Sequence, residues 1–283
     1  ADSSPKPRLT GPIRRSILRL SYSEGVELDG KVAIVTGGAG GIGSAVTRAF
    51  VGQGVGVAIA DMDGPRAAEL ADDVSAGGGN AIWVEAEVTS EESVVSAVRR
   101  TVDQFGRVDF LVHCAGNNVK GAVLDLSVED WSRVLDTHLT GAFLFSKWVG
   151  RHLVDRGEGG RIVFMSSVAA TAPVPERGAY SPAKAGLIGL VGVLSLEWAE
   201  YNINVNAVCP GMVMTPMTEM VYKRDPSLRA QRLKRMPARR EAYPEEIADL
   251  VLFLCSDKAN HINGTAIPID GAFLNNGFMV EPD

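Results

Sequence analysis

From Lys31 onward the chain alternates short apolar runs with longer stretches of helical spacing, and no other feature constrains the fold as strongly. The runs fall at 31–36, 55–60, 80–86, 108–114, 160–166, 203–208 and 265–269. Runs apolar over their whole length, each separated from the next by a helix, read as parallel strands joined by crossovers and covered on both faces. The spacing predicts an α/β domain built on a doubly wound sheet. No internal repeat of solenoid length is visible.

At 283 residues and 46% hydrophobic, the chain fits one sizeable domain, assigned to 28–283. A formal net charge of -6 argues against general nucleic-acid binding, which calls for a basic face. The longest apolar stretches are broken by charges, Gly or Pro, so no membrane span is expected and the protein should be soluble. Cys114, Cys209 and Cys255 lie in apolar segments without metal-ligand spacing, which suits free thiols in a reducing, cytoplasmic setting and argues against bound metal. Residues 1–27 stand apart, with Pro5, Pro7, Pro12 and the basic amphipathic run Ile13–Leu20. An arm on a neighbouring subunit, a disordered tail and a remnant targeting segment are the alternatives there.

Three stretches carry chemistry. Thr36-Gly37-Gly38-Ala39-Gly40-Gly41-Ile42-Gly43 follows the first strand and leads into a helix, an arrangement that holds phosphate on backbone amides. Asp61 ends the second strand, where an acid accepts hydrogen bonds from ribose hydroxyls and would repel a 2′-phosphate. Tyr180 and Lys184 are four residues apart, on one face of a helix, and Ser167 lies thirteen residues ahead of Tyr180 at a strand's carboxyl end. A free tyrosine, with a pKa of about 10, is a poor base near neutrality, and a neighbouring cation favours the phenolate.

Together, Thr36-Gly37-x-x-x-Gly41-x-Gly43, Ser167, Tyr180-x-x-x-Lys184 and Pro210-Gly211 resemble the short-chain dehydrogenase/reductase family. The resemblance implies a single-domain Rossmann fold with a seven-stranded parallel sheet and helices on both faces. It implies a nicotinamide cofactor touching Gly37, Gly41, Ile42, Gly43, Asp61, Glu87, Val88, Ala115, Gly116, Tyr180, Lys184, Pro210, Gly211, Val213 and Thr215, with NAD preferred because Asp61 has Gly40 and Met62 as neighbours where an NADP enzyme has a cation. It further implies that Ser167, Tyr180 and Lys184 move a proton while a hydride passes to or from a secondary alcohol or ketone. Two alternatives stay open: a 3-oxoacyl thioester reductase, and a silent cofactor-bound sensor or scaffold.

The chain departs from the family pattern in three places. His113-Cys114-Ala115-Gly116 replaces Asn-Asn-Ala-Gly, which is expected to weaken a hydrogen-bond network supporting the sheet. His138, in Asp136-Thr137-His138-Leu139-Thr140-Gly141, holds the place of a fourth catalytic residue, normally asparagine; as a relay member it predicts a pH limb near about 6.5, or shifted from there by burial. The substrate lid, about 214–240, carries eight basic residues against Glu219 and Asp225, as a basic outer face or as a grip on an anionic substrate. Finally, 183–198 is apolar nearly all round and must be buried, partly against a second subunit in a homodimer or homotetramer.

Overall fold

A computed structural model describes residues 27–276. Of the expected extension only Glu27 is included, so the alternatives for it concern residues outside the described part. Every apolar run forms a strand, with ends within two residues of those expected: β1 Val32–Thr36, β2 Gly56–Asp61, β3 Ala81–Glu85, β4 Phe110–His113, β5 Gly160–Met165, β6 Ile203–Pro210 and β7 Ala266–Ile269. All pair in parallel, in the order β3-β2-β1-β4-β5-β6-β7. Strand order reverses between β1 and β4, which opens a crevice at the carboxyl ends of those strands.

The helices are α1 Gly41–Val51, α2 Gly64–Ala76, α3 Glu91–Phe105, α4 Val128–Leu135, α5 Gly141–Arg156, α6 Tyr180–Trp198, α7 Pro216–Arg224, α8 Pro226–Lys234 and α9 Pro244–Cys255. α1, α2 and α9 close one apolar layer with the sheet; α3, α5 and α6 close the other. Local signals set their ends. Ser90 caps α3 by accepting from Ser93 N, Glu91 and Glu92 complement the helix dipole, and Gly106 ends the helix at φ 78°. Away from the crevice, Asp109 accepts from Val32 N and pairs with Arg107 and Arg156, binding the amino ends of the central strands together.

α6 is less buried than its composition predicts. Leu187, Val191 and Leu194 face the sheet, but Val193 is 51% and Leu196 85% exposed, because one helix lying on a sheet covers only one of its sides. With the following turn, 180–201, it is also long and apolar enough to cross a membrane. Its Lys184, however, is tied to the end of β5, where Nζ donates to Met165 O at 2.6 Å, which makes it a layer of the α/β domain.

Candidate active site

The glycine turn is shaped by close approach. Gly37 has φ 59°, and a Cβ there would stand 2.8 Å from the Ala115 backbone; at Gly43 it would come within 2.1 Å of Gly37 O, and at Gly41 within 2.9 Å of the Thr215 side chain. Only glycine lets β1, the loop after β4 and the start of α7 meet here. The first amides of α1, among them Ile42 and Gly43, lack helical acceptors and face this cradle. That is the shape a dinucleotide's pyrophosphate requires, so the residues fit the nicotinamide cofactor implied by the sequence.

Asp61 sits beside the turn, with Oδ2 accepting from Ala39 N and Oδ1 from Asp63 N, each at 3.0 Å. The cap of α2, a role the sequence also allowed Asp61, belongs to Asp63, which accepts from Arg66 N. Glu87 turns back on itself and accepts from Thr89 N and Oγ1, while Val88 is buried against Gly141. Pro210 ends β6; Gly211 N donates to Ile269 O; Val213 pairs with Ala242; Thr215 Oγ1 caps α7.

Ser167 stands just past β5, its Oγ accepting from Ala169 N at 3.1 Å. Ser166 Oγ donates to Lys184 O at 2.9 Å, and with the Lys184–Met165 bond this pins the first turn of α6 to the end of β5. Ser167, Tyr180 and Lys184 are thereby brought together. Burial raises the Tyr180 pKa, and opposing pulls come from the Ser167 hydroxyl and then from Arg177. Lys184 Nζ lies 5.5 Å from the Tyr180 ring centroid, committed to a backbone carbonyl and drawn down by burial to about 8. Sequence inspection passed over Arg177; its signal was a cation three residues ahead of the tyrosine on a loop that bridges Gly121.

The loss of two asparagines does not break the network at β4. Thr36 Oγ1 and His113 Nδ1 lie 2.9 Å apart, and Ala115 N donates to the same hydroxyl at 3.2 Å, so imidazole does what the amide was expected to do. His138 lies in a π-turn, Asp136–Thr140, between α4 and α5. Its Nε2 is 2.8 Å from Asn117 O, and its ring meets Tyr180 edge-on at 5.5 Å and Gly116 so closely that a Cβ there would fall 2.3 Å from Cε1. Burial, then the charge of Lys184, pushes both His113 and His138 down to about 3.

Both rings are therefore neutral at any working pH, and no kinetic limb near 6.5 is expected from His138. The consequence falls on stability instead. Between about 6.5 and 3 the unfolded chain binds protons that the folded one refuses, so stability is full above that window and declines as pH falls, by about 1.4 kcal/mol per pH unit for each histidine. Urea unfolding at about pH 7 and about pH 5 should show the decline, and His138→Asn should lessen it. Equal declines in the two proteins would contradict a buried neutral ring.

The stretch expected to form the lid folds as two helices, α7 and α8, and several of its cations are already engaged. Arg229 holds the buried Glu241 with two bonds of 3.1 Å, Lys223 pairs with Glu219, and Arg240 with Glu246. Burial pushes Glu241 up, yet Arg229 leaves it lowered on balance. Arg229 and Arg232 stand over the Tyr222 ring at 6.0 and 5.6 Å. Pairing with acids of the same fold thus accounts for Lys223, Arg229 and Arg240, leaving Arg224, Arg232, Lys234, Arg235 and Arg239 without an acid partner among the described residues. Burial lifts Cys114 and Cys255 to about 12, so neither is a thiolate nucleophile.

A glycine cradle at the switch point, with a hydroxyl, a phenol and an ammonium grouped beyond β5, defines a fold of the Rossmann type with a candidate dinucleotide site. Comparison with known proteins narrows this. A family model described as enoyl-(acyl carrier protein) reductase matches residues 37–273. D-threitol dehydrogenase of Mycolicibacterium smegmatis is 37% identical over 255 residues, 90% of this chain and 96% of that protein. The 3-oxoacyl-(acyl-carrier-protein) reductase FabG of Thermotoga maritima is 34% identical over 249 residues, 88% of this chain and 100% of its own. The solved structure of a 7 alpha-hydroxysteroid dehydrogenase with NADH and 7-oxo glycochenodeoxycholic acid superposes with TM-score 0.82 at 30% identity, covering 87% of this chain and 94% of its own. The chain belongs to the short-chain dehydrogenase/reductase family, whose members oxidise CH–OH groups or reduce the corresponding carbonyls with a nicotinamide cofactor.

Proposed function

We propose that the protein moves a hydride between NAD and a secondary alcohol or its ketone, with Ser167, Tyr180 and Lys184 handling the proton. The observation that carries this is the anchoring of the first turn of α6, which bears Tyr180 and Lys184, to the end of β5, where Ser167 stands, beside the glycine cradle. The Ser167 hydroxyl would hold the substrate oxygen. Tyr180 would take the alcohol proton during oxidation, aided by the pulls of Ser167 and Arg177. Lys184, fixed on Met165 O, would supply the positive charge beneath the ribose. His138, neutral and with Nδ1 free of protein partners among the described residues, would offer an acceptor that orders a water near the phenol, by which the proton leaves.

NAD accepts the hydride at its nicotinamide ring when bound; the glycine turn, Asp61, Glu87, Val88, Ala115, Gly116, Pro210, Gly211, Val213 and Thr215 would hold it in place. Asp61 supports NAD over NADP, since its carboxylate is fixed by Ala39 N and Asp63 N with exposed Met62 following. Asp61→Ser with Met62→Arg is expected to narrow or invert a preference of about tenfold or more in kcat/KM, about 1.4 kcal/mol per tenfold. Equal kcat/KM for both cofactors in the unaltered enzyme would sink the assignment. A screen of alcohols, sugar derivatives and hydroxy acids with NAD, read by absorbance of the reduced ring, tests the reaction itself. Hits confined to anionic compounds would assign the remaining lid cations to substrate.

The FabG relative favours a second reading, reduction of a 3-oxoacyl thioester, with the basic lid meeting an acidic carrier protein. Asp61 weighs against it, because such reductases draw on NADP. The exposed side of α6, with Val193 and Leu196, and exposed Phe143 of α5 support pairing of α6 with a second copy in a dimer or tetramer. Leu196→Glu is expected to shift light-scattering mass toward the monomer; an unchanged mass would place the interface elsewhere. The three free thiols fit a reducing, cytoplasmic setting.

A further inference from the structure

Arg177 enters the proposed mechanism only as a charge that acts on Tyr180, yet its placement suits a closer task. Ser181 N donates to Arg177 O at 3.2 Å, so helical bonding reaches one turn ahead of α6. Arg177, Tyr180 and Lys184 therefore stand at i, i+3 and i+7, on one face. The turn is braced from its other side as well. Gly121 N donates to Glu176 O at 3.1 Å, and a Cβ at Gly178 would lie 2.9 Å from the Val123 side chain.

The neighbouring acid is drawn away from Arg177. Glu176 adopts φ 62°, the left-handed region that a non-glycine residue rarely visits, and pairs with Lys120 at 2.9 Å. Arg177 itself is partly buried, with neither an acid partner nor a side-chain hydrogen bond among the described residues. α6 carries no acid before Glu197, so nothing on the face of Tyr180 and Lys184 offsets the guanidinium. A cation partly withdrawn from water and left unpaired is costly unless an anion meets it.

We infer that Arg177 is a specificity-determining residue that grips a carboxylate of the substrate while Ser167 and Tyr180 hold its hydroxyl or carbonyl oxygen, which makes hydroxy acids and their oxo acids the substrate class. The guanidinium fork matches a carboxylate with two parallel bonds, and a molecule held at both points presents its carbinol carbon in one orientation. Side chains three residues apart on a helix have Cβ atoms about 5–6 Å apart, a gap that a short hydroxy acid spans. The inference rests on the dehydrogenase reading and names the substrate of that same site.

Initial rates with NAD compare 2- and 3-hydroxybutyrate with their amides, which match them in size and lack the charge. The unaltered protein should favour an acid over its amide at least about tenfold in kcat/KM. Arg177→Met keeps an unbranched stem and removes the fork. It should lower kcat alike for both compounds, through the lost pull on Tyr180, and raise KM about tenfold for the acid alone. Arg177→Lys, which keeps the charge, should restore part of the preference. Equal losses for acid and amide would reduce Arg177 to an influence on the phenol, and a preference that survives Arg177→Met would hand the carboxylate to the lid; either result overturns the inference, as does turnover confined to neutral alcohols.

A second arm needs no turnover. Butyrate and butyramide, titrated into the full NADH-loaded protein and followed by the fluorescence of bound NADH, should differ about tenfold in Kd, and Arg177→Met should abolish the difference. Equal Kd values in the unaltered protein would refute the inference. If no alcohol is turned over, the proposed reaction fails and this arm alone decides whether Arg177 reads a carboxylate. Should Arg177→Met not fold, Arg177→Gln carries the same measurements, and misfolding of both would show that the guanidinium serves only the fold.

Discussion

Tyr180→Phe is expected to lower kcat by about 10² to 10⁴ while leaving NADH affinity nearly unchanged, because in the proposed reaction the phenol carries a proton and lends little to cofactor binding. The geometry explains the split. The ring is held at its edge by His138, 5.5 Å away, and by the anchoring of α6 through Ser166 and Lys184, none of which uses the hydroxyl. Phenylalanine therefore keeps the packing and deletes only the reacting group. Lys184→Ala should damage both kcat and cofactor affinity, since it empties a buried place and frees the Met165 carbonyl. Stopped-flow turnover beside a fluorescence titration with NADH separates the two. Substantial activity in Tyr180→Phe would mean that another group moves the proton.

Gly43→Ala should cost about 1–3 kcal/mol of stability and weaken NADH binding by about tenfold or more, the usual scale for overpacking a site that cannot yield. The added methyl would lie 2.1 Å from Gly37 O and 2.9 Å from Gly38 Cα, and backbone atoms cannot swing aside as a flexible side chain does. α1 would have to lift from the turn, which carries its first amides away from the phosphate cradle. Thermal melts with and without NADH measure both effects in one experiment. A melting temperature and ligand shift equal to those of the unaltered protein would show that the cradle is looser than its contacts imply.

Much of this architecture is legible without coordinates. The strands could be read because a buried parallel strand must be apolar throughout, and each run here is bounded by a change of composition that marks its ends. The glycine turn could be read because close backbone approach tolerates no other residue, and the Tyr180–Lys184 pair because helical spacing places both on one face. The lid's behaviour was not legible: whether Arg229 faces solvent, substrate or Glu241 depends on a partner twelve residues away across a turn.

The two histidines mark the boundary most clearly. Sequence alone determined the sheet and the glycine turn and picked out Ser167, Tyr180 and Lys184 as candidates, since each rests on local spacing or on a backbone requirement that few residues can meet. It also marked 113 and 138 as unusual. Only the tertiary structure decided what surrounds them: that His113 takes up Thr36, and that His138 is buried and neutral and does not titrate near 6.5. Ionisation and tautomer follow from desolvation and from partners brought in by the crossovers, from Thr36 on β1 to Asn117 past β4, and no pattern along the chain encodes those distances.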